Sequence, residues 1–392
     1  MRLFKNLFLL IIFLVFSRIP LAADRNPTLL VDKEGVETVF DWSQHKCFDE
    51  NIPDSPARAF RSSGGHVYLY ATHYKNIPFI GQSLDKVEPA CNNVYSAPMD
   101  PAPDNYNARI WLQSFYAEKN GEVVYSLGSS DYHASWFGKC PNINSKNKGC
   151  WWSAIVLAKS NDGGSTFKIA PPPQHIIARS PQFFSPDSGG PTGFFTTSNI
   201  HKKEGYYYSF FNFIANNGKF RGNCLARTAE LDEPSSWRAW DGKIFSKVFY
   251  TSPNQQSYNS QDYCKPIESL PYKIRSLVWH EQSKKYLAVF EEVKINPHDK
   301  NKVSVNFNYS WSENLIDWTK SETIMSIDSP SSCNHAQAIA AYPSLIDSES
   351  KDLNFGTVGN QAYLYYTQFN LSDGCRLTLD RDLVRVPVSI HQ

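Results

Sequence analysis

The sequence predicts an all-β fold, a five-bladed β-propeller with a sixth blade left open, on three observations. Strand-like runs recur along the 392 residues, and no long amphipathic helix pattern interrupts them. Each run is followed by a third segment and a polar turn, and several of these share an apolar strand, Ser or Thr, a turn with Asp or Glu and then an aromatic. Ser83, Ser160, Thr228 and Ser312, one from each of four such turns, are spaced by 77, 68 and 84 residues. That quasi-period fits four strands per repeating unit.

The elements follow in chain order. MRLFKNLFLLIIFLVFSRIPLAAD opens with Arg2 and Lys5, continues with an apolar run from Leu7 to Phe16 and ends in small residues at Ala23. This reads as a secretory signal peptide over residues 1–23, its core too short to cross a bilayer. Residues 24–392 are then expected to form a single domain. GVETVFDW (35–42) is strand-like, and DLVRVPVSI (382–390) ends the chain. Pairing the two would close the ring and cover an edge; two terminal strands of a β-sandwich is the competing arrangement. HVYLYATHY (66–74) alternates, with Val67, Leu69 and Ala71 on one face and Tyr68, Tyr70 and Thr72 on the other. EVVYSLGSS (122–130), YYYSFFNFI (206–214), KYLAVFEEV (285–293) and QAYLYYTQF (361–369) repeat the theme. The third segments are FIGQSLDKV (79–87), AIVLAKSNDGGSTF (154–167), CLARTAELDEPSSW (224–237), NFNYSWSENLIDW (306–318) and CRLTLDRDLVRV (375–386). Stretches 171–200 and 240–272 are hard to assign, which leaves the sixth unit open.

Within the second of these segments, SNDGGSTF (160–167) has the chemistry of a tight reversal. Gly163 and Gly164 admit positive φ, and Asp162 can accept from amides two residues on.

Charge excludes one class of partner. With 39 basic and 38 acidic residues and a net charge of +1, no basic face for nucleic acid is implied. Eight cysteines, an even count in an exported chain, predict disulfides. Sequential pairing is the expectation, although the count leaves the connectivity open. No CxxC or HExxH occurs, so no metal site and no redox cofactor are implied.

Several stretches carry a resemblance. SNDGGSTF resembles the Asp box of sialidases and other propellers, which lies on an outer turn away from the active site. SENLIDW (312–318) and RTAELDEPSSW (227–237) resemble the outer-strand turns of five-bladed glycosidase propellers of the arabinanase, xylosidase and invertase type. YPSLID (342–347) is similar to an innermost strand of that group, and PDSPARAFRSSGGHVYLYATHY (53–74) to its first blade. The whole pattern, roughly residues 40–390, also resembles an uncharacterised group of secreted sialidase-like or glycosyl-hydrolase-like propellers.

The resemblance implies catalytic carboxylates near the propeller axis, two for hydrolysis and a third to tune them. Asp54, just before PARAF, occupies the position of a general base. Asp131 opens DYH (131–133), similar to an acid-Tyr-His motif of the uncharacterised group, so Tyr132 and His133 join it as sugar contacts. Glu291 or Glu292 ends KYLAVFEE, with Glu291 favoured. His73 ends the equivalent strand of the first blade. Arg58 and Arg275 fall on innermost strands, where a guanidinium holds a carboxylate of substrate or protein. Convergent arginines would point to an acidic sugar, and arginines each paired with Asp or Glu to a structural role. Two departures stand out. No glutamate appears near GGPTGFF (189–195), where an arabinanase-type acid belongs, and no Tyr–Glu pair of the sialidase kind can be assigned. Trp136, Trp151 and Trp152 lie beside an insert bracketed by Cys140 and Cys150, suited to stacking on sugar.

The expectation is a secreted or periplasmic monomeric glycoside hydrolase whose partner is a carbohydrate, with no nucleic-acid partner and no membrane association after signal removal. Asp54, Asp131 and Glu291 would be its catalytic carboxylates, and Arg58, His73, Tyr132, His133 and Arg275 its substrate contacts. A carbohydrate-binding propeller without catalysis is the rival from another class, and a sialidase the third reading.

Overall fold

The computed structural model describes residues 26–140, 150–187, 190–249, 260–299, 301–330, 332–333 and 337–392. The expected signal peptide lies outside them. Alternating β-branched and aromatic residues, cut by Gly, Asn and Asp turns, dictate strands almost throughout. The fold is all-β, with α-helices among the described residues limited to single turns at α1 (Trp42–His45) and α2 (Ser260–Tyr263).

Two short strands, β1 (Thr28–Val31) and β2 (Glu37–Phe40), precede five successive antiparallel meanders. The first is β3 (Arg58–Arg61), β4 (Val67–Tyr70), β5 (Phe79–Gly81) and β6 (Glu88–Pro89). The second is β7 (Ile110–Glu118), β8 (Val123–His133), β9 (Trp151–Ser160) and β10 (Lys168–Ile169), with β11 (Ile176–Ala178) also on β9. In the third, β12 (Thr192–Thr197) pairs with β14 (Tyr206–Ala215), which also carries β13 (His201–Lys203). It continues through β15 (Phe220–Thr228), β16 (Arg238–Trp240) and β17 (Phe245–Val248). The fourth is β18 (Ile274–His280), β19 (Lys285–Ile295), β20 (Val303–Ser312) and β21 (Glu322–Asp328). In the fifth, β22 (Ala340–Ile346) pairs with β24 (Gln361–Leu371) and then β25 (Leu377–His391), while β23 (Thr357–Val358) lies parallel to β18. A parallel contact, Thr192 opposite Trp152 and Gly193 opposite Ser153, joins the second and third meanders into one sheet. The stretches that were hard to assign supply β11, β12, β17 and α2.

The five strongest runs in the sequence are the second strands, β4, β8, β14, β19 and β24, and the third segments are the third strands. Both faces of these sheets are apolar because each packs against a neighbour. On β4, Val67 and Leu69 join one core cluster, whereas Tyr68 and Tyr70 join another. Period-two alternation therefore sorts residues between two cores, not between core and water.

The N-terminal strands both pair with β25. Phe40 lies opposite Leu383 and Leu29 opposite Ile390. Trp311 Nε1 donates to Pro27 O at 2.8 Å, tying this edge to the fourth meander. The disulfides are sequential: Cys47–Cys91, Cys140–Cys150, Cys224–Cys264 and Cys333–Cys375. Four such bonds belong to an oxidising, extracytoplasmic environment. Among the described residues, no helix is long and apolar enough to cross a membrane.

Candidate active site

The first strands contact one another in turn, β3 with β7, β7 with β12, β12 with β18, β18 with β22 and β22 with β3, and hydrogen bonds and charge link the candidate carboxylates around this ring. Asp54 precedes β3, its backbone N–H held by Ala71 O at 3.0 Å. Its Oδ1 accepts from Arg381 Nη1 at 2.5 Å and from the Tyr342 hydroxyl at 3.2 Å. Trp111 Nε1 donates to Oδ2 at 3.3 Å, and His73 Nε2 lies 3.9 Å from the same atom. The side chain is 19% exposed, open enough to meet a ligand.

Asp131 has a different environment. Its backbone N–H donates to Arg109 O at 2.8 Å, so Arg109 is its cross-strand neighbour. Oδ1 accepts from Ser129 Oγ at 3.0 Å and Ser153 Oγ at 2.9 Å. Burial pushes the carboxyl above the usual carboxylate range, against the pull of Ser153, Arg109 and Ser129.

Glu291 is held by a guanidinium. Arg275 Nε donates to its Oε1 at 2.9 Å, and Nη2 makes a second, short contact with the same oxygen. The remaining Arg275 Nη1 reaches Thr196 Oγ1 at 3.3 Å. Tyr342 connects this pair to Asp54. Its backbone N–H donates to Glu291 Oε2 at 2.7 Å while its hydroxyl donates to Asp54. The residue sits at φ 62°, where the register of β22 shifts. That bulge turns its amide out of the ladder and toward Glu291. Burial and the neighbouring Asp54 raise the phenol, which therefore stays a donor.

Aromatic rings wall one side. His133 stacks between Trp136 and Trp151, with centroids 5.6 and 5.1 Å away, and Trp151 meets Phe195 edge-on at 4.9 Å. The Arg109 guanidinium lies 3.3 Å from the Trp136 ring centre. Burial pulls both His133 and His73 down to about 4, so both are neutral near pH 7.

Two expected contacts are not in this ring. Arg58 is 3% exposed and spends its guanidinium on Ala57 O, Ser344 Oγ and Arg275 O. It rivets three inner strands, because its side chain turns into the core and not toward the opening. Tyr132 points to the opposite face from Asp131, as strand alternation requires. It is fully buried, stacks on Phe137 and donates to Pro101 O at 3.0 Å. Glu292 faces Tyr272, Asn308 and Lys294 instead of the ring. Trp152 is 1% exposed and is core. Tyr342, Arg381, Trp111, Arg109 and Lys273 were missed. Tyr342 heads the quoted YPSLID strand, and a polar aromatic at that place was the available signal. Arg381 gave none, since its role depends on how the last strand folds back.

The inner strands' other ends frame a separate cleft of about 460 Å³, lined by Tyr116, His201, Lys202, Trp279, Tyr286 and Asp352 among others. It holds none of the three candidate carboxylates.

No family model and no curated protein matches the chain. Among solved structures it is similar to an α-L-arabinanase of Cellvibrio cellulosa complexed with arabinohexaose. The identity is 10%, covering 85% of this chain and 90% of that one at a TM-score of 0.43. A family 117 glycoside hydrolase of Zobellia galactanivorans matches at 9% identity over 94% and 91% of the two chains, with a TM-score of 0.48. A Dyadobacter fermentans protein of unknown function matches at 11% over 91% and 100%, with a TM-score of 0.46.

Proposed function

We propose that the protein is an exported glycoside hydrolase, and that its five meanders are the blades of a five-bladed propeller made by one domain over residues 24–392. Asp131 is the general acid, and Asp54 the general base or nucleophile. Glu291 is a positioning residue that sets Arg275 and Tyr342. One observation carries this reading: two carboxyl groups in one ring have opposite environments. Asp54 is part exposed and accepts from a guanidinium, a phenol and an indole N–H. Asp131 is buried against neutral hydroxyls, which keeps its proton at higher pH. A buried carboxyl that holds its proton suits the acid, and the carboxyl open to a ligand suits the base or nucleophile.

A non-catalytic carbohydrate-binding protein is the second reading. Its support is that Asp54 and Glu291 are each tied to an arginine and that β12 carries no carboxylate. The sialidase reading requires three guanidinium groups free to share one ligand carboxylate. Arg275 and Arg381 already pair with protein carboxylates, and Arg58 is spent on carbonyls.

The test is sugar release from a broad polysaccharide and glycoconjugate panel. Wild-type protein should release sugar, and Asp54→Asn and Asp131→Asn should each lower the rate by roughly 100-fold or more. Release undiminished in both variants discards the site. No release by folded wild-type protein moves the function to the binding reading.

A further inference from the structure

Two cations of the ring have donors that the protein leaves unused. Arg109 makes no side-chain hydrogen bond or carboxylate pair among the described residues, and its Nε is buried without a partner. It is pinned by rings instead, over Trp136 at 3.3 Å and beside Trp111 and Tyr74 at 5.2 and 5.3 Å. A guanidinium stacked flat on an indole keeps its in-plane N–H groups for an acceptor at its edge. Lys273 is the second. It stands one residue before β18 and two before Arg275, where the register of β18 shifts, and Arg275 is close enough to act on its charge. Partly buried, it makes no hydrogen bond or ion pair with the described residues, although Glu291 and Asp131 are both close enough to act on its charge.

The contrast with the other cations is sharp. Arg275 is matched by Glu291, Arg381 by Asp54, and Arg385 by Glu37 and Asp85. Asp131 acts electrostatically on both Arg109 and Lys273, and it forms an ion pair with neither. Arg109 is 7% exposed, and a buried cation with no carboxylate within hydrogen-bond reach is costly, a cost that a ligand anion removes.

We propose that the ring accepts an anionic sugar, one bearing a carboxylate or a sulfate, with the anionic group held between Arg109 and Lys273. This rests on reading the ring as a sugar site. It does not rest on catalysis. The Arg109 edge suits two parallel hydrogen bonds to a carboxylate or sulfate, and the Lys273 ammonium supplies a point charge.

The experiment is calorimetric binding at low salt with two matched pairs of probes. One pair is a galacturonate tetrasaccharide and its carboxyl-reduced form; the other is a sulfated galactose tetrasaccharide and its desulfated form. At least one anionic probe should bind tenfold or more tighter than its neutral partner, and the pair that discriminates names the anion. Lys273→Met and Arg109→Gln should each cut that preference at least fivefold. Arg109→Lys, which keeps the charge, should retain more of it than Arg109→Gln. Equal binding within both pairs, no binding of either anionic probe, or a preference that survives both neutral substitutions overturns the proposal. Sugar release followed in the same samples separates the two readings. Anion-selective binding without release keeps this inference and removes the hydrolase. Release from neutral glycans alone keeps the hydrolase and removes the anion.

Discussion

Two serine hydroxyls hold one oxygen of Asp131, and burial acts against its charge. The consequence for stability has a definite sign. A carboxyl raised in the folded state above its ordinary 3.8 favours the protonated fold, so stability is lost as pH climbs from 3.8 through the raised value. At pH 7 the carboxyl therefore lowers the stability of the fold. Asp131→Asn retains the oxygen that the serines need and removes the charge. It should therefore raise Tm at pH 7 by about 2 °C and change it little at pH 3.5, while abolishing sugar release. Scanning calorimetry at the two pH values decides it: a lower Tm at pH 7 would show that the carboxylate charge stabilises the fold.

At the scale of the element, one turn device recurs on the outer strands. Between β9 and β10, Asp162 accepts from Thr166 N at 2.9 Å, from Thr166 Oγ1 at 2.6 Å and from Ser160 Oγ at 2.7 Å. Ser160 Oγ in turn accepts from Gly164 N at 2.8 Å. Gly164 has φ 93°, and a Cβ there would stand 2.6 Å from Phe60 Cζ, so the turn packs against the first meander through its backbone. After β20, Ser312 Oγ accepts from Leu315 N at 2.9 Å, and Asn314 takes the place of the aspartate by accepting from Asp317 N at 2.8 Å. After β15, Thr228 Oγ1 accepts from Glu230 N at 2.9 Å. Each turn ends on a buried aromatic: Phe167, Trp318 and Trp237. Asp162→Ala should cost about 2 kcal/mol of stability through its lost charge-assisted bonds. It should leave sugar binding unchanged, because the turn belongs to the outer edge. Urea unfolding alongside a binding titration checks both halves. Lost binding at full stability would move this turn into the site.

For the whole molecule, the histidines set the response to acid. His73 and His133 are held at about 4 against an ordinary 6.5, chiefly by burial, and His175, His201 and His280 are lowered by the same cause. The unfolded chain takes up these protons first, so stability falls as pH drops from 6.5 toward 4. His73 and His133 can each account for up to about 3 kcal/mol of that loss. Asp131 opposes the trend lower down, since its protonation favours the fold. The urea midpoint should therefore fall steeply between pH 6.5 and 4, and His133→Gln should flatten the slope. An unchanged slope in that variant would show that His133 protonates as readily in the fold as outside it.

The strands and their order were legible because alternation and turn chemistry are local, although β4 ends at Tyr70, short of the run read to Tyr74 in HVYLYATHY. The sequential disulfides were legible for a related reason, since each cysteine pair brackets one stretch of chain and no long excursion. Asp54, Asp131, Glu291 and Arg275 could be named because each lies beside a strand-like run of the sequence, although β19 continues past Glu291 to Ile295. What the sequence could not settle was the direction of each side chain in the assembled ring. Arg58 and Arg275 look alike as inner-strand arginines, yet one is buried on carbonyls and the other faces Glu291. Tyr132 lies beside Asp131 in sequence and points into the other core. Tyr342 joins Asp54 to Glu291 across separations of 288 and 51 residues. Local sequence determines the strand, because backbone pairing and alternation are short-range. Which charge meets which carboxylate is a property of the packed sheets, because only packing brings inner strands far apart in the chain within hydrogen-bond reach.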